Sequence, residues 1–265
     1  MKGRVLIVAG SDSGGGAGIQ ADIKSVTALG GYAATAITAL TAQDTRGVHG
    51  VHEVPVAFVV QQMEVVLADL GADAIKTGML HAPAIVEAVA GVLRRRAAHV
   101  PLVVDPVMTA KSGDALLVPA AEDALRRTLI PLATLITPNT PEAERLTGLR
   151  IGNDADVAEA GRRCLALGAR YALLKGGHLS GLTVRDVLFG PNGVQAFESP
   201  RIDTKHTHGT GCTLASAIAT GLAQGLDVPA AVARARRYVL EAIRRAPGYG
   251  AGHGPLDHGH TVGDF

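Results

Sequence analysis

Short aliphatic runs that stop on glycine or a polar residue alternate with helix-period segments along this chain, and that alternation limits its fold more than any single motif. "RVLIVAG" (4–10) and "ATAITAL" (34–40) read as strands buried on both faces. A helix is expected around 19–29. "VPVAFVVQQMEVVLADLG" sets Val59, Met63, Val66, Leu67 and Leu70 at helical spacing, with Pro55 suited to the first turn and Gly71 to the end. "DAIKTG" follows as a strand. "APAIVEAVAGVLRRR" then puts Ile85, Val89, Val92 and Leu93 on one helix face. "PLVVDPVM", "ATLITPN" and "YALLKGGH" read as further strands, with a helix over 154–168. Two extended runs around Pro191-Asn192-Gly193 signal a hairpin, and two helices near 211–224 and 229–245 close the chain. The expected class is α/β: a mostly parallel sheet with helices on both faces, as one domain over residues 1–265.

The composition agrees with a large aliphatic core. Hydrophobic residues make up 47% of the 265, charged residues 18%, aromatic residues 3%, and Trp is absent. A net charge of +1 offers no footprint for a nucleic-acid backbone, and so few aromatics give no stacking surface for single strands. Arg94-Arg95-Arg96 reads as a solvated helix end. Two cysteines, Cys164 and Cys212, make a disulfide framework improbable and suit a reducing compartment. "MKGRVLIVAG" reads as a first strand and not a secretion signal, and no apolar run reaches the ~18 residues of a membrane span. The expected location is the cytoplasm, with no membrane partner.

Parallel α/β sheets bind ligands at the carboxyl ends of their strands. Those junctions here hold Gly10-Ser11-Asp12, Gln43-Asp44, Lys76-Thr77-Gly78, Asp105, Asn139 and Lys175-Gly176-Gly177. "GSDSGGGAGIQAD" lacks the Lys-Ser/Thr of a P-loop. "GAGIQA" matches a loose dinucleotide fingerprint, but Gly16 lies six residues past the strand end at Gly10, too far for that turn. The preferred reading is a loop that closes around a small substrate.

"THGTGCTLASAIA" is the second glycine-rich stretch. Gly209 and Gly211 let backbone approach a ligand closely, and the first amides of the following helix lack intrahelical acceptors. An anion there would meet several N–H groups at the positive end of the helix dipole. A thiol at Cys212 is expected to have a lowered pKa. The competing reading is a tight turn with a structural cysteine. Cys164, beside Leu165 and Leu167 in "AGRRCLALG", reads as a small core residue. Asp105, with Asn139 and Glu142 three apart at a helix start, offers oxygen ligands for Mg²⁺. The same Asn139 and Glu142 equally suit a helix cap. His253, His258 and His260 in "GHGPLDHGH" raise a zinc question, but a solvated or substrate-covering tail is the better reading.

"AGSDSGGGAGIQAD", "TALTAQDTRGV", "KTGML", "VVDPVM", "LITPNTPEAERLTG", "LLKGGH", "HTHGTGCTLASAIA" and the closing "GPLDH" stand in one order along nearly the whole chain. Together they resemble the bacterial hydroxymethylpyrimidine and phosphomethylpyrimidine kinases of thiamine biosynthesis. The resemblance implies a ribokinase-like three-layer sandwich, ATP as co-substrate with Mg²⁺, and often a homodimer. It implies two successive phosphorylations, of 4-amino-5-hydroxymethyl-2-methylpyrimidine and then of its monophosphate. By the same resemblance, Gln43 would read the aminopyrimidine edge, and Gly10, Asp22, Met79 and Val107 would line its pocket. Lys175, Thr207 and Asn139 would lie on the ATP side, Glu142 and Asp105 on the metal side. Gly209, Thr210, Gly211 and Cys212 would hold the moving phosphoryl group. The resemblance leaves a pyridoxal or pyridoxine kinase of the same fold as the nearest rival.

Overall fold

The computed structural model describes residues 2–110, 113–114, 116–178 and 181–263. β1 (Arg4–Asp12) lies inside the sheet, and its residues alternate between two helix layers. Val5, Ile7 and Ala9 pack into one layer, Leu6 and Val8 into the other. All five are essentially inaccessible, so Val5–Ala9 is apolar on both faces.

α1 (Gly18–Ala28), β2 (Tyr32–Gln43) and β3 (Val48–Glu53) come next, then α2 (Val56–Asp69), β4 (Ala74–Thr77), α3 (Pro83–Arg96) and β5 (Leu102–Val104). α4 (Pro119–Ala124) runs on through a π turn at Leu125–Leu129 and a 3₁₀ turn at Ile130–Leu132. β6 (Leu135–Ile136), α5 (Thr140–Thr147), α6 (Asp154–Ala166) and β7 (Tyr171–Leu174) follow. The hairpin of β8 (Thr183–Gly190) and β9 (Gly193–Pro200), α7 (Thr210–Ala223) and α8 (Val228–Arg244) complete the described chain.

The strands form one sheet in the order β3-β2-β1-β4-β5-β6-β7-β8-β9. β2, β1, β4, β5, β6 and β7 pair in parallel, and the edges β3, β8 and β9 pair antiparallel. One core is filled from α2, α3, α4, α5 and α6, the other from α1, α7 and α8. This is the expected three-layer α/β sandwich. The hairpin also forms as expected, with Gly190 paired to Gly193 across the Pro191-Asn192 turn.

Two local features differ from the sequence expectation. β2 runs on to Gln43, and β3 was not anticipated at all. Five of its six residues are exposed, so it lacks the apolar run that marks a strand. Cys164 is fully buried in the first core, as its apolar neighbours suggested. No helix among the described residues is long and apolar enough to cross a membrane.

Candidate active site

The carboxyl ends of the parallel strands open into a cavity of ≈ 740 Å³. The strand order sets the sequence of groups along it. Gln43 closes β2, Gly10 lies in a bulge of β1, and Met79 follows β4. Asp105 and Val107 follow β5, Asn139 and Glu142 follow β6, and Lys175 follows β7. The N-terminus of α7 enters midway and brings Thr207, Gly209, Thr210, Gly211 and Cys212 to the wall. Beyond Lys175 the wall mixes apolar Val184, Ile202, Val239, Leu240 and Ile243 with polar Asp186, Arg201, Thr204 and Arg236.

Asp22 is the exception: it does not line the cavity. It is wholly buried in α1, where Lys76 Nζ donates to both its oxygens at 2.8 Å and Ser216 Oγ donates at 2.7 Å. Lys76 is also inaccessible. Burial opposes its charge, but the Asp22 and Asp105 carboxylates outweigh burial and keep the ammonium protonated. Burial pushes the Asp22 carboxyl up, while Lys76 and Ser216 favour its ionised form. Asp22 therefore supports the floor of the site through Lys76, which does face the cavity.

Gly209 begins α7 in the left-handed region, φ +81°, and a β-carbon there would stand 1.8 Å from the Gly16 carbonyl oxygen. Only glycine meets both demands. Among the described residues, the Gly209, Gly211 and Cys212 N–H groups bond no backbone or side-chain acceptor. Thr210 differs from expectation: its N–H is turned onto the Thr207 carbonyl at 3.3 Å, and its Oγ1 donates there too, at 2.7 Å. The free donors are thus three amides, not four. A β-carbon on Gly211 would lie 3.3 Å from Lys175 Nζ and 3.5 Å from Asp105 Oδ2, so ammonium, carboxylate and amides converge on one spot.

Cys212 keeps partial exposure at the cavity wall. Its thiol is not lowered but pushed up to about 12. Burial is the largest cause; Lys76 opposes it, and the Asp22 and Asp105 carboxylates add to it. A helix N-terminus alone does not overcome these effects. Cys212 is a thiol at neutral pH.

Lys175 Nζ donates to Asp105 Oδ1 at 3.0 Å and lies 3.9 Å from Glu142 Oε2. Burial opposes the Lys175 charge, but Asp105 and Glu142 outweigh it and raise its pKa. Asn139 and Glu142 form a reciprocal capping box on α5, with Glu142 N–H to Asn139 Oδ1 at 3.0 Å and Asn139 N–H to Glu142 Oε2 at 2.8 Å. Burial raises the Glu142 carboxyl to about 7, against Lys175 and with help from Asp105. Among the described residues, no group of three His, Cys, Asp or Glu side chains is close enough to hold a metal.

Sequence reasoning missed a pair that joins two loops of the site. Asp12 Oδ2 lies 2.8 Å from His208 Nε2, and the Asp12 carboxylate also accepts from the amides of Gly14, Gly16 and Ala17. Burial alone would raise the Asp12 carboxyl, but His208 and these amides hold it below its ordinary value. His208 also lies 3.5 Å from Gln43 Nε2. Asp12 stood at a flagged strand end, but nothing near His208 in sequence announces a partner nearly 200 residues away.

A family model described as "Phosphomethylpyrimidine kinase" matches residues 12–257. The chain is 50% identical over 260 residues to the hydroxymethylpyrimidine/phosphomethylpyrimidine kinase of Streptomyces coelicolor, covering 98% of this chain and 96% of that protein. It is 55% identical over 260 residues to the thiamine biosynthesis bifunctional protein ThiED of Geobacter sulfurreducens. That match covers 97% of this chain and 52% of the Geobacter protein, so the chain spans about half its length. Among solved structures, the ADP complex of Bacillus subtilis pyridoxal kinase superposes with a TM-score of 0.90 at 36% identity, covering 97% of this chain and 98% of that one. With the family model matched over residues 12–257 and a relative 50% identical over 98% of this chain, the chain belongs to the phosphomethylpyrimidine kinase family.

Proposed function

We propose that this protein transfers the γ-phosphoryl group of ATP to 4-amino-5-hydroxymethyl-2-methylpyrimidine, and then to the resulting monophosphate, in thiamine biosynthesis. The observation that carries the reading is the set of unsatisfied amides at Gly209, Gly211 and Cys212, beside Lys175 and open to the cavity. Phosphoryl transfer needs positioning and charge stabilisation more than covalent help, and aligned amides supply both.

In this reading the pyrimidine lies against Gly10, Met79 and Val107, with its amino edge on the Gln43 amide, which both donates and accepts. The adenine lies against the apolar side chains of Val239, Leu240 and Ile243. Lys175 and Thr207 flank the phosphates, and Asn139 has its side-chain NH₂ left to offer, because its Oδ1 caps α5. The oxygen-rich surroundings of Asp105 and Glu142 suit a hydrated Mg²⁺ held through its waters. Asp105 Oδ1 is already occupied by Lys175 and Thr137, which favours that indirect mode. When bound, Mg²⁺ would neutralise phosphate charge.

Cys212, as a thiol, orients the substrate hydroxyl and does not take its proton as a thiolate. The hydroxymethyl oxygen bonds to phosphorus, the bond from phosphorus to the β-bridging oxygen breaks, and the hydroxyl proton passes to a phosphoryl oxygen. In the second reaction the nucleophile is a phosphate oxygen that carries no such proton. Cytoplasmic residence and a homodimer belong to the same reading.

Mass spectrometry of the products from hydroxymethylpyrimidine, ATP and Mg²⁺ tests it. One and then two added phosphoryl groups are expected; no phosphorylated pyrimidine would overturn it. The likeness to Bacillus subtilis pyridoxal kinase supports pyridoxal as the competing substrate. Competition between the two substrates in the same assay decides between them.

A further inference from the structure

The "GHGPLDHGH" tail is the sequence motif that the reaction leaves without a role. After α8 the chain doubles back across the loops of the site. His253 N–H donates to the Thr45 carbonyl at 2.7 Å and Gly252 N–H to Thr45 Oγ1 at 3.1 Å, just beyond Gln43. The Gly254 carbonyl accepts from His208 N–H at 3.1 Å, immediately before Gly209. Leu256 is buried, and Asp257 N–H bonds the Ala242 carbonyl of α8.

His258, 5% exposed, sets Nε2 2.9 Å from Thr213 Oγ1, and Tyr238 Oη donates to the His258 carbonyl at 2.7 Å. Thr213 is fully buried, and its hydroxyl donates to the Gly209 carbonyl at 2.8 Å. The Thr213 N–H reaches the same carbonyl at 2.9 Å. Gly209-Thr210-Gly211 carries two glycines, whose peptides reorient at little cost. A nest of amides placed on such a segment needs an outside lock to stay preorganised.

We propose that His258, acting through Thr213, is a positioning residue for phosphoryl transfer: it fixes the first turn of α7, and with it the direction of the Gly211 and Cys212 amides. This rests on the assignment of those amides to the moving phosphoryl group. The tail is then part of the site and not a cover over it.

Three full-length single variants and one double variant test this. His258→Phe keeps ring bulk without nitrogens, His258→Gln restores a polar side chain, and Thr213→Val removes only the hydroxyl. Steady-state kinetics with hydroxymethylpyrimidine and Mg·ATP is paired with amide hydrogen exchange over residues 207–215. His258→Phe and Thr213→Val are expected to lower kcat roughly tenfold or more with both KM values nearly unchanged, since the amides act mainly in the transition state. Exchange over 207–215 is expected to quicken in both. His258→Gln recovers much of kcat, and the Phe/Val double variant is no worse than the weaker single, as members of one chain of contacts require.

Unchanged kcat and exchange overturn the proposal, and so does a rise in both KM values, which is the mark of general loosening. If His258→Phe fails to fold, the isosteric Thr213→Val carries the test alone. If the wild-type protein makes no phosphorylated pyrimidine, the functional assignment fails, while the exchange data still decide whether His258 locks α7.

Discussion

Cys212 sits where a residue type and its surroundings pull in opposite directions. The helix N-terminus and Lys76 favour a thiolate, but burial and the Asp22 and Asp105 carboxylates prevail. With the thiol near 12, the thiolate fraction at pH 8 is about one in ten thousand. Iodoacetamide labelling of Cys212 in the free protein should therefore climb roughly tenfold per pH unit with no plateau below pH 10. A midpoint near 7 or 8 would contradict this. Cys164, fully buried and also pushed up to about 12, stays unlabelled as an internal control. Cys212→Ala should impair phosphorylation of the alcohol more than that of the monophosphate; equal loss of both would count against an orienting thiol. Asp22 and Lys76 answer to a different rule. Removing one partner strands a buried charge and should cost about 3–5 kcal/mol, whereas Asp22→Leu combined with Lys76→Met should lie close to the wild type in urea denaturation. A double variant no better than the singles would show that the pair is not simply charge-compensated.

At the scale of elements, the decisive joint is the entry to α7. Gly209→Ala combines an unfavourable φ with a β-carbon 1.8 Å from the Gly16 carbonyl oxygen. We expect a loss of kcat of about 100-fold or more, with a few kcal/mol of stability, from assays and thermal melts on one preparation. Gly225→Ala is the control: its φ is +88°, but nothing stands within 4 Å, so it carries strain without collision and should keep near-normal kcat. What could be read in advance follows the same physical lines. β1, β5 and β7 were legible because burial on both faces leaves short apolar runs, and α3 because its apolar residues recur at helical spacing. β3 was not, because an exposed edge strand carries no apolar signature. The first glycine-rich loop and Lys175 stand out in the sequence by their place after strands, and the second by its place at a helix start. The Asp22–Lys76 pair, the Asp12–His208 pair and the raised Cys212 thiol were not, since each depends on groups that meet only after the sheet has formed.

Across the whole molecule, the parallel strands each deliver one or two groups to a single edge, and the C-terminal tail ties that edge to α8. The tail carries a pH signature. Burial depresses His258 to about 4, with Lys24 and His260 acting in the same direction and Asp257 and the Leu256 carbonyl against it. Above pH 6.5 both folded and unfolded states hold a neutral imidazole. Between about 6.5 and 4 only the unfolded chain takes up the proton, so stability falls as the pH falls, by at most about 3 kcal/mol from this residue. Urea denaturation at pH 7.5 and 4.5 should show a smaller drop in His258→Phe than in the wild type. Equal drops would mean that His258 titrates normally when folded.

The most direct measurement is of the donors themselves. Backbone ¹H–¹⁵N spectra recorded with and without ADP, Mg²⁺ and aluminium fluoride, a mimic of the phosphoryl group in transfer, should move the Gly209, Gly211 and Cys212 amides strongly downfield, as charge-assisted hydrogen bonds form. The Thr210 amide, already bonded to Thr207, should move least. If nucleotide binds while those three resonances stay in place, the phosphoryl group is held elsewhere and the account given for this site is wrong.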